Sequence, residues 1–467
     1  MNPLLIGLTA YVGAQLLMGL YVSRRIRGEE DYVLAGRSLG LGLATFSIFA
    51  TWFGSETCVG SAGEIYSEGL SGGARDPFGY SLCLVLMGAV LAGPLRKRSF
   101  ATLGDLFAAR YSRGVERLAV MLMVPTSVFW AAAQIRAFAQ VISVSSDLPM
   151  ATSTAVAAAV VILYTTTGGM MADVVTDLVQ GVMLAVGLLV VLVLVVAELG
   201  GIGLAVQAVG ESRLSIVPAK TSILSFLEAW TVPICGSVVA QELISRVLAC
   251  KTPSIARRAC FAATGMYLTI GMIPVFVGLV GARLAPGLED PERLMLTVAG
   301  GYGGPILYVV FAGALVSAIL STIDSCLLAA AALTCENLVG SVRRGLDSRT
   351  KLRISRGGVI VFGVVAYVLA LHSGGILDLV EDASSFGSSG VFVVVAFGLF
   401  TRFGGAGSAW AALITGTAIW LTARYAVDSS SPYVYSLAAA LGAYVLAAVG
   451  VRWKPVQLPA VPQHPPA

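Results

Sequence analysis

The chain has 467 residues, 57% of them hydrophobic and only 12% charged, and its mean hydropathy is +0.86. A soluble domain of that length carries far more surface charge, so the long apolar runs read as membrane-spanning helices, the structures that satisfy a backbone in hydrocarbon. The net charge of +4 is scattered over short loops, which argues against nucleic-acid binding, and seven cysteines without a C-x-x-C pair beside only two histidines argue against a metal centre or nucleophile chemistry.

About thirteen spans are expected, near residues 4–22, 41–62, 79–95, 115–145, 150–167, 174–197, 222–246, 257–284, 305–337, 354–372, 375–401, 405–425 and 431–451. The first lacks a basic segment before it and reads as a retained helix rather than a cleaved signal. Most Lys and Arg fall in alternate loops, among them Arg24, Arg96, Arg246, Lys251 and Arg343. That bias puts the amino terminus outside and the carboxyl terminus in the cytoplasm. The Pro-rich end, 452–467, reads as a short unstructured tail with no signalling domain.

Polar residues inside spans are costly and mark packing or function. The second span reads ATWFGSET at 50–57, where Gly54 and Ser55 weaken the helix and Glu56 needs a cavity or a partner. In the fourth, Trp130 is an intramembrane aromatic; Arg136 either snorkels outward or serves as counter-ion to Glu56 or to a substrate carboxylate. Where the fifth and sixth spans meet, Asp173 reads as a loop or interface charge. Asp177 is either a helix-start residue or a binder of a cation or proton. The seventh span carries Pro233 and Gly236 at its middle, which gives either a plain kink or an opened backbone whose carbonyls bind a cation or solute. In the ninth, Ala314, Ala318, Ser321, Thr322 and Ser325 form a stripe at helical spacing that either packs closely or supplies oxygen ligands; Asp324 on a neighbouring face must be paired or wet.

The stretches DYVLAGRSLG (31–40), GGMMADVVTDLVQ (168–180) and AILSTIDS (318–325) together resemble the sodium:solute symporter family. ATW (50–52), PFGYSL (77–82), FWAAA (129–133) and SRVL (245–248) are most similar to its choline-transporter-like branch. The resemblance implies an all-α polytopic membrane protein with a leucine-transporter-like fold of two inverted five-helix repeats. It divides the chain into a first helix and cytoplasmic loop (1–40), repeat one (41–200), repeat two (201–402), two further helices (403–451) and the tail. It also implies sodium as coupling ion, held by the carbonyls of Ala50, Phe53 and Ala318 and the hydroxyls of Ser321 and Thr322, with Asp177 at a second cation position. Trp52, Tyr80 and Trp130 match an aromatic cage, whose remaining tryptophan position falls at Ala240. With Glu56 and Gln241 they make the expected substrate set.

The expected function is sodium-coupled import of a small polar, amine-bearing solute across the plasma membrane, not catalysis, with no nucleic acid and no obligatory protein partner. The rival readings are a solute sensor on the same fold, which would show no vesicle uptake, and a proton-coupled carrier, which would work without sodium.

Overall fold

A computed structural model of the protein describes residues 29–450, except 147, 218–220, 344 and 374, with isolated positions before residue 29. The expected first span, the Arg24–Arg27 stretch and the Pro-rich tail lie outside the described residues. Regular structure among the described residues is helical, apart from one isolated bridge between Leu39 and Cys250.

The remaining expected spans fall on helices, of which nine among the described residues, or ten with one bent pair, are long and apolar enough to cross a membrane. Leu41–Trp52 (α1) is followed, after a break, by a helical stretch from Glu56 to Lys97 that carries the rest of the second span and the third. Arg113–Ser146 (α2) is the fourth. Met150–Glu198 (α3) is one 49-residue helix by hydrogen bonding. At 1.5 Å per residue it would overshoot a hydrocarbon core of ~30 Å more than twofold. It turns back at Gly169, whose φ of 61° and ψ of 179° suit a residue without a side chain, so α3 holds both the fifth and sixth spans. Ile223–Thr231 (α4) and Gln241–Ala249 (α5) are halves of the broken seventh span, bent by 48°. Pro253–Leu284 (α6), Leu294–Leu333 (α7), Ser348–His372 (α8), Ile376–Ser385 (α9), Ser388–Phe400 (α10), Ala406–Leu421 (α11) and Pro432–Val449 (α12) complete the order. Gly304, at φ 67°, separates a short first segment of α7 from its long buried part.

Both expected interruptions are present, each with a local cause. After α1, Phe53 leaves helical geometry at φ −97°, ψ 77°, and the chain resumes as a π-helical turn over Glu56–Ser61. Between α4 and α5, Val232–Gly236 widens into a π-helical turn around Pro233, whose ring denies the ladder an amide, and Ala240 is extended at ψ 131°. The far ends of the two broken elements are joined. Leu39 donates its amide to the Ala249 carbonyl at 3.1 Å and its own carbonyl accepts from Lys251 at 2.9 Å.

Small residues bring these elements close, as packing in lipid requires. A Cβ placed on Gly236 would stand 2.1 Å from the carbonyl oxygen of Ser384 in α9. Backbone cannot rotate away, so α9 would have to shift bodily. Gly236→Ala is expected to cost about 1–3 kcal/mol or more, read as a lowered melting temperature of the purified protein, whereas Gly265→Ala in α6, which meets nothing within 4 Å, leaves it unchanged.

Candidate functional site

The break after α1 leaves its last carbonyls without ladder amides. Hydroxyls from other elements reach two of them: Thr322 of α7 lies 3.3 Å from the Thr51 carbonyl, and Tyr267 of α6 lies 3.1 Å from that of Trp52. Thr322 also donates to the Ala318 carbonyl of its own helix at 3.1 Å. Thr51 and Ser325 approach to 3.4 Å through their hydroxyls. The α1 break, carrying Ala50 and Phe53, therefore lies directly against the Ala318–Ser325 stretch of α7. All five residues of the expected sodium set are buried.

Glu56 is drawn into the same place. Its Oε2 accepts from Gln134 Nε2 at 2.6 Å, and Gln134 Oε1 in turn accepts the Ser55 hydroxyl at 2.8 Å and the Ser55 amide at 3.2 Å. Glu56 Oε1 has no hydrogen-bond partner. A Cβ on Gly54 would stand 2.5 and 3.0 Å from the two Glu56 oxygens and 3.0 Å from the Thr322 hydroxyl. The carboxylate and the Thr322 hydroxyl thus flank one gap that only a glycine leaves open. Gln134, two residues before Arg136 on the same helix, is the partner that Glu56 Oε2 meets.

Asp177 accepts hydrogen bonds from Ser47 of α1 at 2.6 Å and from Ser321 of α7. The Ser321 hydroxyl is thus turned to Asp177, linking the α1–α7 contact to the acidic position of α3. The neighbouring charges decide two open sequence readings, Asp173 and Asp324, and correct a third, Arg246. Asp173 is no loop charge: it is 1% exposed and ion-paired with Arg246. Arg246, expected in a cytoplasmic loop, lies in α5 at 0% exposure, donates to Asp173 and Ser325, and stands 4.0 Å from Asp177. Asp324 is paired, accepting from Thr165. The apolar neighbours of Arg246 in LISRVLA hid it, because a helix that ends in a basic loop and a helix that buries one arginine read alike.

Trp52, Tyr80 and Trp130 meet as expected. Their ring centroids are 5.4 Å apart for Trp52–Trp130, 6.1 Å for Tyr80–Trp130 and 6.4 Å for Trp52–Tyr80. The rings pack on one another and form a partition between two cavities. Tyr80 lines the first with Glu56, Asp76, Pro233 and, at its rim, Glu64, Arg75 and Glu381. Arg75 joins that rim to α9 through Glu381 at 3.2 Å, with Glu64 at 3.9 Å. Trp130 lines the second cavity with Ser237, Ala240, Glu242 and Ser384. The Tyr80 and Ser384 hydroxyls lie 3.3 Å apart. Gln241 does not reach into this partition unengaged: its Oε1 accepts the Leu103 amide at 2.9 Å and its Nε2 donates to Ser245 at 2.9 Å. Three site residues escaped the sequence reading. Gln134 and Glu242 sit within a helical turn of residues that were noticed, and Asp76, held by Thr57 at 2.6 Å and Tyr267 at 3.0 Å, directly precedes the PFGYSL stretch.

The profile of the sodium:solute symporter family matches residues 32–416. The chain belongs to that family. It is 28% identical over 390 residues to the human high affinity choline transporter 1, an alignment covering 76% of this chain and 65% of the human protein. The Drosophila melanogaster high-affinity choline transporter 1 is also 28% identical, with 60% of its length covered, so the chain spans less than two thirds of these relatives. The osmoregulated proline transporter OpuE of Bacillus subtilis is 27% identical over 90% of this chain and 89% of its own. Among solved structures, a sodium-coupled sialic acid symporter in a substrate-bound outward-open state superposes with a TM-score of 0.82 at 17% identity, covering 95% of this chain and 96% of that one. The nucleobase-cation symporter Mhp1, closed with bromovinylhydantoin bound, gives 0.62 at 16% identity over 89% and 93%. The fold is the one these symporters share, as expected from the sequence, and the chain is a multi-pass membrane protein of a transporter family rather than an enzyme.

Proposed function

We propose that this protein is a sodium-coupled secondary symporter that imports a small polar, amine-bearing solute. The observation that carries the reading is the contact between the broken end of α1 and the hydroxyl stripe of α7, with Thr322 3.3 Å from the Thr51 carbonyl. Sodium is a hard cation that takes several oxygen ligands, and freed carbonyls beside hydroxyls at mid-membrane are the means by which broken helices supply them. In this proposal the carbonyls of Ala50, Phe53 and Ala318 and the hydroxyls of Ser321 and Thr322 hold the ion, and Asp177 serves a second cation. Ion binding ties α1 to α7. Solute then binds at Trp52, Tyr80 and Trp130, and rocking of one bundle against the other alternates access. The amino terminus faces outward and the carboxyl terminus the cytoplasm of the plasma membrane, following the basic-residue bias.

A charge inventory supports a cargo of cations. Leaving aside Arg110, Glu116 and Glu228, which serve at helix ends, six carboxyl groups are at most 4% exposed: Glu56, Asp76, Asp173, Asp177, Glu242 and Asp324. Arg246 is the one basic side chain buried with them among the described residues. Unpaired charge in such surroundings is costly, and bound cations offset it.

Counterflow of labelled amines and amino acids into proteoliposomes is expected to run at least about tenfold faster in sodium than in potassium, a change of ~1.4 kcal/mol. Ser321→Ala and Thr322→Val are expected to abolish that stimulation. Uptake indifferent to sodium in wild type and variants would sink the coupling reading. Sodium-free uptake driven by a pH gradient would instead favour the proton-coupled carrier, for which the same buried carboxyl groups are the natural relay.

A further inference from the structure

The second cavity contains a carboxylate that no part of the sodium arrangement uses. Glu242 lies in the first turn of α5, is 3% exposed, and lines the cavity beside Trp130, Ser237, Ala240 and Ser384. Its Oε1 has no hydrogen-bond partner. The basic side chain nearest in sequence is Arg246, one turn further along α5, and that guanidinium is committed to Asp173 and Ser325, with Asp177 4.0 Å away. Two aspartates already share it, and its hydrogen bonds go to Asp173 and Ser325 rather than to Glu242.

A buried carboxylate oxygen without a partner, on a residue that lines a cavity, calls for a donor, and most strongly for a charged one. Ammonium groups come in two chemical kinds that this cavity distinguishes. A quaternary ammonium has no N–H and is held by aromatic faces around it. Here the wall next to Glu242 is the methyl group of Ala240, and the aromatic rings that line the cavity are Trp130 and Phe386. A protonated primary or secondary amine offers N–H donors together with its charge, and matches a free carboxylate oxygen beside a ring face. Resting on the transport reading above, we propose that Glu242 Oε1 accepts a hydrogen bond from a protonated amine of the transported solute, selecting ammonium groups that bear N–H over their fully methylated counterparts.

The test uses the full-length purified protein and matched probes: ethanolamine against choline, glycine against glycine betaine, and lysine against its ε-trimethyl form. Binding is followed by thermal melting in sodium and in potassium. At least one N–H-bearing probe is expected to bind about tenfold or more tightly than its methylated partner in sodium, the size of one charge-assisted hydrogen bond. Glu242→Gln is expected to remove that preference while sodium alone still raises the melting temperature as in wild type. Glu242→Asp, which keeps the charge but retracts the oxygen, is expected to fall between. Tighter or equal binding of every methylated partner, a preference that survives Glu242→Gln, or no response to any N–H-bearing probe would each overturn the proposal. Failure of the underlying transport reading has a different signature, since wild type would then melt identically in sodium and in potassium.

Discussion

Gly54→Ala is expected to abolish sodium-stimulated uptake while leaving the protein folded. The added methyl would stand 2.5 Å from Glu56 Oε2 and 3.0 Å from the Thr322 hydroxyl, closer than unbonded atoms can sit. Both neighbours are side-chain ends, so they can move without dismantling a helix. They cannot move freely, because Glu56 is held by Gln134 at 2.6 Å and Thr322 by the Ala318 carbonyl at 3.1 Å. The methyl therefore occupies the gap in which oxygen atoms of α1 and α7 face one another, and an ion there would lose at least one ligand. A loss of about 2–3 kcal/mol, typical of a hydrogen bond to a charged group, corresponds to a sodium half-saturation concentration raised about 30- to 150-fold. Gly42→Ala in α1, which meets nothing within 4 Å, is the control. Equal sodium dependence in both variants would mean that the ion binds elsewhere.

Arg246→Met is expected to cost about 3–5 kcal/mol and to lower the yield of folded protein sharply. The guanidinium has no exposure and is buried with Asp173, Asp177 and Asp324, all at most 2% exposed. Its removal leaves Asp173 as a carboxylate with neither water nor a cation. Asp173→Asn alone should be milder, because the arginine keeps Ser325 and Asp177 nearby. The double variant should recover part of the loss, since an apolar residue replacing a charge is tolerated once the partner charge is gone. Melting temperatures of the four proteins give the coupling between the two residues directly. Strict additivity would show that the pair in α3 and α5 is not an energetic unit.

The spans, their order and the two interruptions were legible because each rests on a property carried by neighbouring residues. Twenty apolar side chains in a row have no other stable place than lipid, and Pro233 removes a ladder amide wherever its helix packs. The aromatic trio was legible only through resemblance, since nothing in the spacing of Trp52, Tyr80 and Trp130 says that their rings touch. Misreadings fell where two remote segments decide a residue's surroundings. Arg246 reads as a loop cation until α3 supplies Asp173.

By itself, then, the order of residues determined that this protein lives in a bilayer, which two of its helices are interrupted, and which family it resembles, because hydropathy and backbone geometry act over a few neighbouring residues. Only the packed molecule decided which carboxylates have partners. Gln134 meets Glu56 across 78 positions and Arg246 meets Asp173 across 73, while Glu242 Oε1 is left without a hydrogen-bond partner. The reason is physical: at mid-membrane no water stands in for a missing partner, so the character of each polar group is set by whichever side chain the fold brings within hydrogen-bonding distance.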